Sequence, residues 1–319
     1  MNIYQPDGWN IRREPPVIDT ILRSLHATEA LTSRVKNITY QPQSENRGGG
    51  VHFAGLRRID DSPVIIKVGA FRDEVSWTQA IAERCPDLGA ELLASGMQLG
   101  DRAVGWLASR WIPYGPLGPL WHGNEFKLLM EAGVRFQAVA AGVDLPAPMM
   151  TEDRLRRVLQ RAVALDAPGE ARSLIERLST DWAWLTARFS SAVCHGDLHL
   201  ANALSHHPPP GGPAVLIDFQ PIRQPWTLDA AYCHAFQIAD PTRPGSQRLV
   251  SLMAQARYDA GLDDRLPESH DLERAEQVCR AWMALRLWQN PGIDRTQRTF
   301  IEGISGCIAS ALANQHGVS

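Results

Sequence analysis

Apolar residues recur along the chain with two different periods, and the change from one to the other divides it. Val17, Ile18, Ile21, Leu22 and Leu25 share one face at helical spacing after Pro15-Pro16, which predicts a short first helix. Val35 to Tyr40 alternates weakly and Val51 to Leu56 alternates again, so each is expected to be a strand. Asp60-Asp-Ser-Pro63 reads as a turn. Val64-Ile-Ile-Lys-Val68 is the most strand-like run, apolar on both sides of a single lysine. A helix is expected over Phe71 to Arg84, ending at Pro86, and strands over Glu91 to Met97 and Gly105 to Trp111. Pro113-Tyr-Gly-Pro-Leu-Gly-Pro119 is rich in breakers and marks a boundary. Beyond it the helical period dominates, over Asn124 to Ala141, Thr151 to Leu165, Ala171 to Phe189 and several stretches from Trp226 onward. The exception is the middle, where Ala203-Leu204 and Ala214-Val-Leu-Ile217 flank a proline-rich loop, His206 to Pro213, as in a hairpin. An α+β protein of two lobes is expected. Residues 1–110 form a strand-rich small lobe with one main helix, and residues 111–319 a mostly helical large lobe.

Composition narrows the class. The chain has 319 residues, 44% of them hydrophobic, enough for a core that needs no disulfide or metal staple. A net charge of -3 speaks against a general nucleic-acid binder. No run of about 18 apolar residues exists, so no membrane span is expected. The N-terminal stretch is polar and lacks an apolar signal region. Five cysteines (Cys85, Cys194, Cys233, Cys279, Cys307) without a C-x-x-C pair point to reduced thiols and a cytoplasmic location. A monomer or weak dimer is expected. Among 32 basic residues only Lys36, Lys67 and Lys127 are lysines, which makes each worth inspecting.

The chemistry concentrates in Val193-Cys-His-Gly-Asp-Leu-His-Leu-Ala-Asn202 and Val215-Leu-Ile-Asp-Phe-Gln220. Asp197 and Asn202 lie five residues apart in a loop, and Asp218 closes an apolar strand. Phosphoryl transfer needs this mix. One carboxylate orients the attacking hydroxyl, and a carboxylate plus an amide oxygen suit magnesium, which keeps several waters and needs few protein ligands. His195, Asp197 and Asn202 match the spacing of the kinase catalytic loop, and Asp218-Phe219 matches the start of its metal-binding motif.

On these residues the chain resembles the aminoglycoside phosphotransferase and choline kinase superfamily, over roughly residues 35 to 235. The resemblance implies a protein-kinase-like fold with an antiparallel sheet in the small lobe. It implies Asp197 as catalytic base, Asn202 and Asp218 as Mg²⁺ ligands, and His195 and Asp229 as supports of the catalytic loop. In the small lobe, Lys67 would contact the phosphates of ATP or GTP, held by Glu74, with Glu83 as the backup partner. Gly48, Gly49 and Gly50, with Ser44, would cover the phosphates. Ser109, Arg110 and Trp111 would form the hinge that meets the nucleotide base. The implied reaction moves the γ-phosphate to a hydroxyl of an antibiotic, amino sugar or amino alcohol, a cationic substrate being one option. Gln220 departs from the Trp-Glu or Trp-Asp common in aminoglycoside enzymes, and Gln137 stands where many members carry a Leu-His pair.

Other readings compete. A kinase fold without activity, binding nucleotide or a partner, is one. A metal-dependent hydrolase using His195, Asp197 and His199, with His206 and His207 nearby, is another, although the spacing fits no common zinc pattern. His199 suits loop support or substrate contact equally. Trp282 and Trp288 fall on different faces of one helix, and one of them is a candidate for the substrate cleft. The acidic residues Asp259, Asp263, Asp264, Glu268, Asp271, Glu273 and Glu276 read as a solvated face that could also attract a cation.

Overall fold

The computed structural model describes residues 11, 13–42, 50–239, 248–289 and 294–313. Ser44, Gly48 and Gly49 lie outside the described residues. In chain order the elements begin with α1 (Pro15–Ala27), α2 (Glu29–Thr32), β1 (Val35–Gln41), β2 (Val51–Arg57), β3 (Pro63–Ala70) and α3 (Arg72–Arg84). They continue with β4 (Leu92–Gly96), β5 (Gly105–Arg110), α4 (Glu125–Ala140), α5 (Glu152–Ala164), α6 (Ala171–Arg188) and β6 (Ser191–Cys194). Then come β7 (Ala203–Leu204), β8 (Val215–Leu216), β9 (Ile222–Pro225), α7 (Trp226–Ala239), α8 (Leu249–Asp259), α9 (Ser269–Trp288) and α10 (Arg298–Ala313). No described helix is long and apolar enough to cross a membrane.

Contacts divide the chain into two units, Met1–Pro113 with Val215–Phe219, and Tyr114–Ala214 with Gln220–Ser319. This differs from a single cut after residue 110. Val215–Phe219 runs with the first unit because the Leu216 N–H donates to the Leu88 carbonyl at 2.7 Å and the Phe219 ring lies beside Gly89.

The first unit is an antiparallel sheet in the order β1-β2-β3-β5-β4. Alternation along β3 buries Val64, Ile66 and Val68 on one face, against Val17, Ile18, Ile21 and Leu25 of α1. The same alternation turns Lys67 to the opposite face. The unit has the two expected helices, α1 and α3, and the first, expected to be short, has 13 residues like the second. The apolar stripe of α1 finds its partner in the sheet, which no local pattern discloses.

In the second unit α7 packs along α9, α4 on α8, and α10 on α9. Helix α9 is surrounded, and Ala275, Val278, Cys279, Trp282, Leu285 and Trp288 bury different sides of it. Trp282 and Trp288 are thus both core residues. The short strands β6 and β9 pair antiparallel, setting Cys194 opposite Ile222. All five cysteines are free thiols.

Candidate active site

The first unit gathers three charged side chains. The Lys67 ammonium lies 2.7 Å from Glu74 Oε1 and 2.9 Å from Asp218 Oδ1. Glu74 comes from the first turn of α3 and is buried, whereas Glu83 is exposed, so the first-named partner is the one in place. Burial works against the ammonium, but Asp218 and Glu74 outweigh it and hold Lys67 above its ordinary lysine value. Asp218 sits at φ 59, a left-handed conformation that costs aspartate less than most residues. His52, opposite Lys67 in the β2–β3 ladder, is held at about 4 by burial and by the Lys67 charge, against the pull of Asp218. It is therefore neutral at neutral pH, and nothing in the local sequence singled it out.

Gly50 passes close to β3. A Cβ there would come within 2.8 Å of the Val68 carbonyl oxygen and 3.3 Å of Lys67 Cγ, so only glycine leaves the lysine its place. Of the expected hinge, Ser109 is nearly buried, Arg110 is exposed and Trp111 is 52% exposed. The backbone N–H groups of Arg110 and Trp111 already donate to the carbonyls of Glu91 and Pro63.

The second unit carries the loop after β6. Asp229, from the first turn of α7, is fully buried and accepts from the backbone N–H of His195 at 3.1 Å and of Gly196 at 3.0 Å. Burial pushes this carboxyl up to about 7, against those two donors and Arg286. His195 is buried, its ring edge-on to Phe136 of α4, and its Nδ1 accepts from the Asp197 N–H at 3.3 Å. Gly196 is at φ +80, and a Cβ there would sit 1.9 Å from the Gln220 carbonyl oxygen. These contacts fix the backbone and leave the Asp197 side chain for chemistry.

Asp197 is held on several sides. Asn202 Nδ2 donates to its carbonyl at 3.0 Å and to its Oδ2 at 2.9 Å. The Tyr232 hydroxyl donates to the carboxylate, Gln220 Nε2 reaches Oδ2 at 3.4 Å, and His199 Nε2 lies 3.6 Å away. Burial raises its pKa, yet the bonds from His199 and Tyr232 prevail and leave it at about 2. His199 also caps the following turn, its Nδ1 accepting from the Ala201 N–H, so it supports the loop.

Tyr232 and Arg286 were missed by sequence reasoning. The Arg286 guanidinium lies 4.5 Å over the Tyr232 ring, and its Nη2 is 3.5 Å from the Gly196 carbonyl. Tyr232 follows Asp229 by three residues on α7, one helical turn, and that spacing is the only signal the sequence offered. Gln137 bridges inward, from Cys194 Sγ and Met253 Sδ to Arg257, which in turn grips Asp263 at 2.7 Å. That network is why an amide stands at 137. The acidic residues of the C-terminal region are not a plain solvated face. Glu276 is buried and accepts from the Val250 N–H, Asp271 pairs with Arg188, and Glu273 with Arg248. Among the described residues no group of three or more His, Cys, Asp or Glu is placed to hold a metal ion, so the hydrolase ligands do not gather.

The model of the phosphotransferase enzyme family matches residues 69–257. No curated protein matches the chain. Among solved structures, a choline/ethanolamine kinase family protein from Mesorhizobium loti is 14% identical, with a TM-score of 0.59 over 92% of this chain and 93% of that one. An ethanolamine kinase of Plasmodium vivax is 13% identical, with a TM-score of 0.58 over 95% and 90%. An aminoglycoside phosphotransferase from Alicyclobacillus acidocaldarius is 14% identical, with a TM-score of 0.53 over 90% and 93%. At these identities the likeness is one of fold, and the fold is protein-kinase-like.

Proposed function

The chain belongs to the phosphotransferase enzyme family, a small-molecule kinase acting on hydroxyl groups, and on that premise we propose that it transfers the γ-phosphate of ATP through Asp197. The observation that carries this reading is the Asp197 carboxylate, part-buried, ionised and oriented by Asn202, Tyr232 and His199. Asp197 accepts a hydrogen bond from the acceptor hydroxyl. A carboxylate at about 2 is too weak a base to remove that proton ahead of attack. It therefore aligns the oxygen and takes the proton as the bond to phosphorus forms and ADP leaves. Lys67, held by Glu74, positions the phosphates. Asp218 and Asn202 offer oxygen donors, the chemistry magnesium prefers, and the Asn202 nitrogen is turned to Asp197, which leaves its oxygen for a ligand role. Bound magnesium would offset charge on the transferring phosphoryl group.

The acceptor is a small hydroxyl compound, and antibiotics, amino sugars and amino alcohols head the panel. The test is ADP release with Mg²⁺ and ATP or GTP across that panel, comparing the native chain with Asp197→Ala. A loss of at least about 1,000-fold in kcat is expected. Full activity in the variant removes Asp197 from the mechanism.

A further inference from the structure

Several arginines of the second unit have a carboxylate close by. Arg257 holds Asp263, Arg274 and Arg177 hold Asp181, and Arg188 holds Asp271. Arg286 differs. Among the described residues no carboxylate lies within ion-pair distance of it. Its contacts are the Tyr232 ring beneath it and one long bond to the Gly196 carbonyl. The same Tyr232 donates its hydroxyl to Asp197, so one phenol carries the cation on its face and the reacting carboxylate at its hydroxyl.

A guanidinium stacked on an aromatic face is oriented with its donor edge left for a planar anion. The surroundings sharpen the sign. The carboxylates bound to the catalytic loop are Asp197 and the buried Asp229, and the latter is drawn toward its neutral form. Three acids further along the chain are committed elsewhere, Asp263 to Arg257, Asp271 to Arg188 and Glu276 to the Val250 N–H. An ammonium group brought against the guanidinium would be repelled by it, whereas a carboxylate or phosphate would be paired with it.

We propose that Arg286 is a specificity residue that receives an anionic group of the acceptor, so that the substrate is a short hydroxy acid or hydroxy phosphate whose alcohol is presented to Asp197. This rests on the kinase reading above and opposes the cationic acceptor that the sequence allowed. Arg286 contributes nothing to the proton transfer itself. It selects by charge, from the face of the phenol that holds Asp197.

The experiment compares acceptors matched in size and different in charge: glycerate and glycerol 3-phosphate, glycerol, and ethanolamine and choline. ADP release is followed with magnesium and ATP for the native chain, Arg286→Gln and Arg286→Lys. The native chain is expected to prefer an anionic acceptor over glycerol by at least about 10-fold in kcat/KM, the scale of one charge-assisted contact. Arg286→Gln erases that preference through KM, and Arg286→Lys restores part of it. A merely structural role for Arg286 would lower all acceptors together and leave the ratio of glycerate to glycerol intact. Preference for ethanolamine or choline, or an unchanged ratio in Arg286→Gln, overturns the proposal. Should no acceptor turn over, calorimetric titration of glycerate and glycerol 3-phosphate separates the two readings. Binding that disappears in Arg286→Gln keeps the charge assignment and sinks phosphoryl transfer, and no binding of either anion sinks the assignment. The native preference needs no variant, so the result stands even where Arg286→Gln fails to fold.

Discussion

Glu74→Gln isolates one charge in the first unit without changing its shape. Glu74 Oε1 lies 2.7 Å from Lys67 Nζ, and the Glu74 side chain is only 5% exposed. At that separation and an effective dielectric constant of about 20, the Coulomb attraction is about 6 kcal/mol. Desolvation of a buried carboxylate offsets several kcal/mol of it. Glutamine keeps an acceptor for the ammonium, and Asp218 remains at 2.9 Å. The expected loss of stability is therefore about 1–3 kcal/mol, less than the cost of stranding a buried charge with no partner. Deprived of Glu74, the ammonium turns to Asp218, its remaining counter-charge, and is drawn from its place for phosphates. We expect the KM for ATP to rise about 10- to 100-fold, which corresponds to roughly 1.4–2.8 kcal/mol. Urea denaturation and steady-state kinetics measure the two effects on one preparation. Glu83→Gln, on the exposed side of the same helix, is the control and should change neither. A Glu74→Gln variant with an unaltered ATP KM and an unaltered urea midpoint would refute the claim that Glu74 positions Lys67.

Four more outcomes are expected. Lys67→Arg conserves charge but places a broad planar group between two carboxylates, and nucleotide use should fall sharply in steady-state assays. Asp197 has a folded value of about 2 against an ordinary 3.8, so the stability it adds is complete above about 4 and is lost as pH falls through 2. The stability gap between the native chain and Asp197→Asn should close by about 2 kcal/mol over that window in urea titrations, and a gap flat with pH contradicts the assignment. Asp229 has the opposite sign: its carboxyl is raised to about 7, so its contribution is greatest below 3.8 and fades as pH rises through 7. The advantage of the native chain over Asp229→Asn should shrink from pH 4 to pH 7, and an advantage that grows counts against burial as the cause. Gly196→Ala must move the Gln220 carbonyl out of a 1.9 Å overlap, and kcat should drop about 100-fold, as for an ångström-scale misplacement of a catalytic group.

Much of the fold was legible because its signals are local. Alternation in Val64 to Val68 set both the strand and the face of Lys67, and the spacing of Asp197 and Asn202 set the loop. What stayed hidden depends on residues far apart in the chain. Arg286 lies in a helix whose apolar residues occupy several sides, so no stripe marks which arginine turns inward. Its partner Gly196 is 90 positions away. Arg257 and Gln137 meet across 120 positions, and each reads by itself as an ordinary polar helix residue. The acidic C-terminal run looked solvated because sequence shows charge but not counter-charge. Glu276 is answered by a backbone N–H that no motif could announce.

The segment Val215–Phe219, which completes the first unit after 101 intervening residues of the second, also sets when during synthesis that unit can close. Lys67 meets Glu74 across 7 residues but Asp218 across 151. Closing the longer loop costs about 3 kcal/mol more in chain entropy. On the ribosome, at about 5–20 residues per second, roughly a hundred further residues must emerge before Asp218 can arrive, a delay of about 5–20 seconds. Throughout that interval the nascent sheet holds Lys67 with one carboxylate, and the surface at Leu88 and Gly89 lacks its cover. A chain truncated before residue 215 would carry every strand of the five-stranded sheet and still never assemble the charge triad. Completion of the nucleotide half thus reports that the first half of the second unit has already been synthesised.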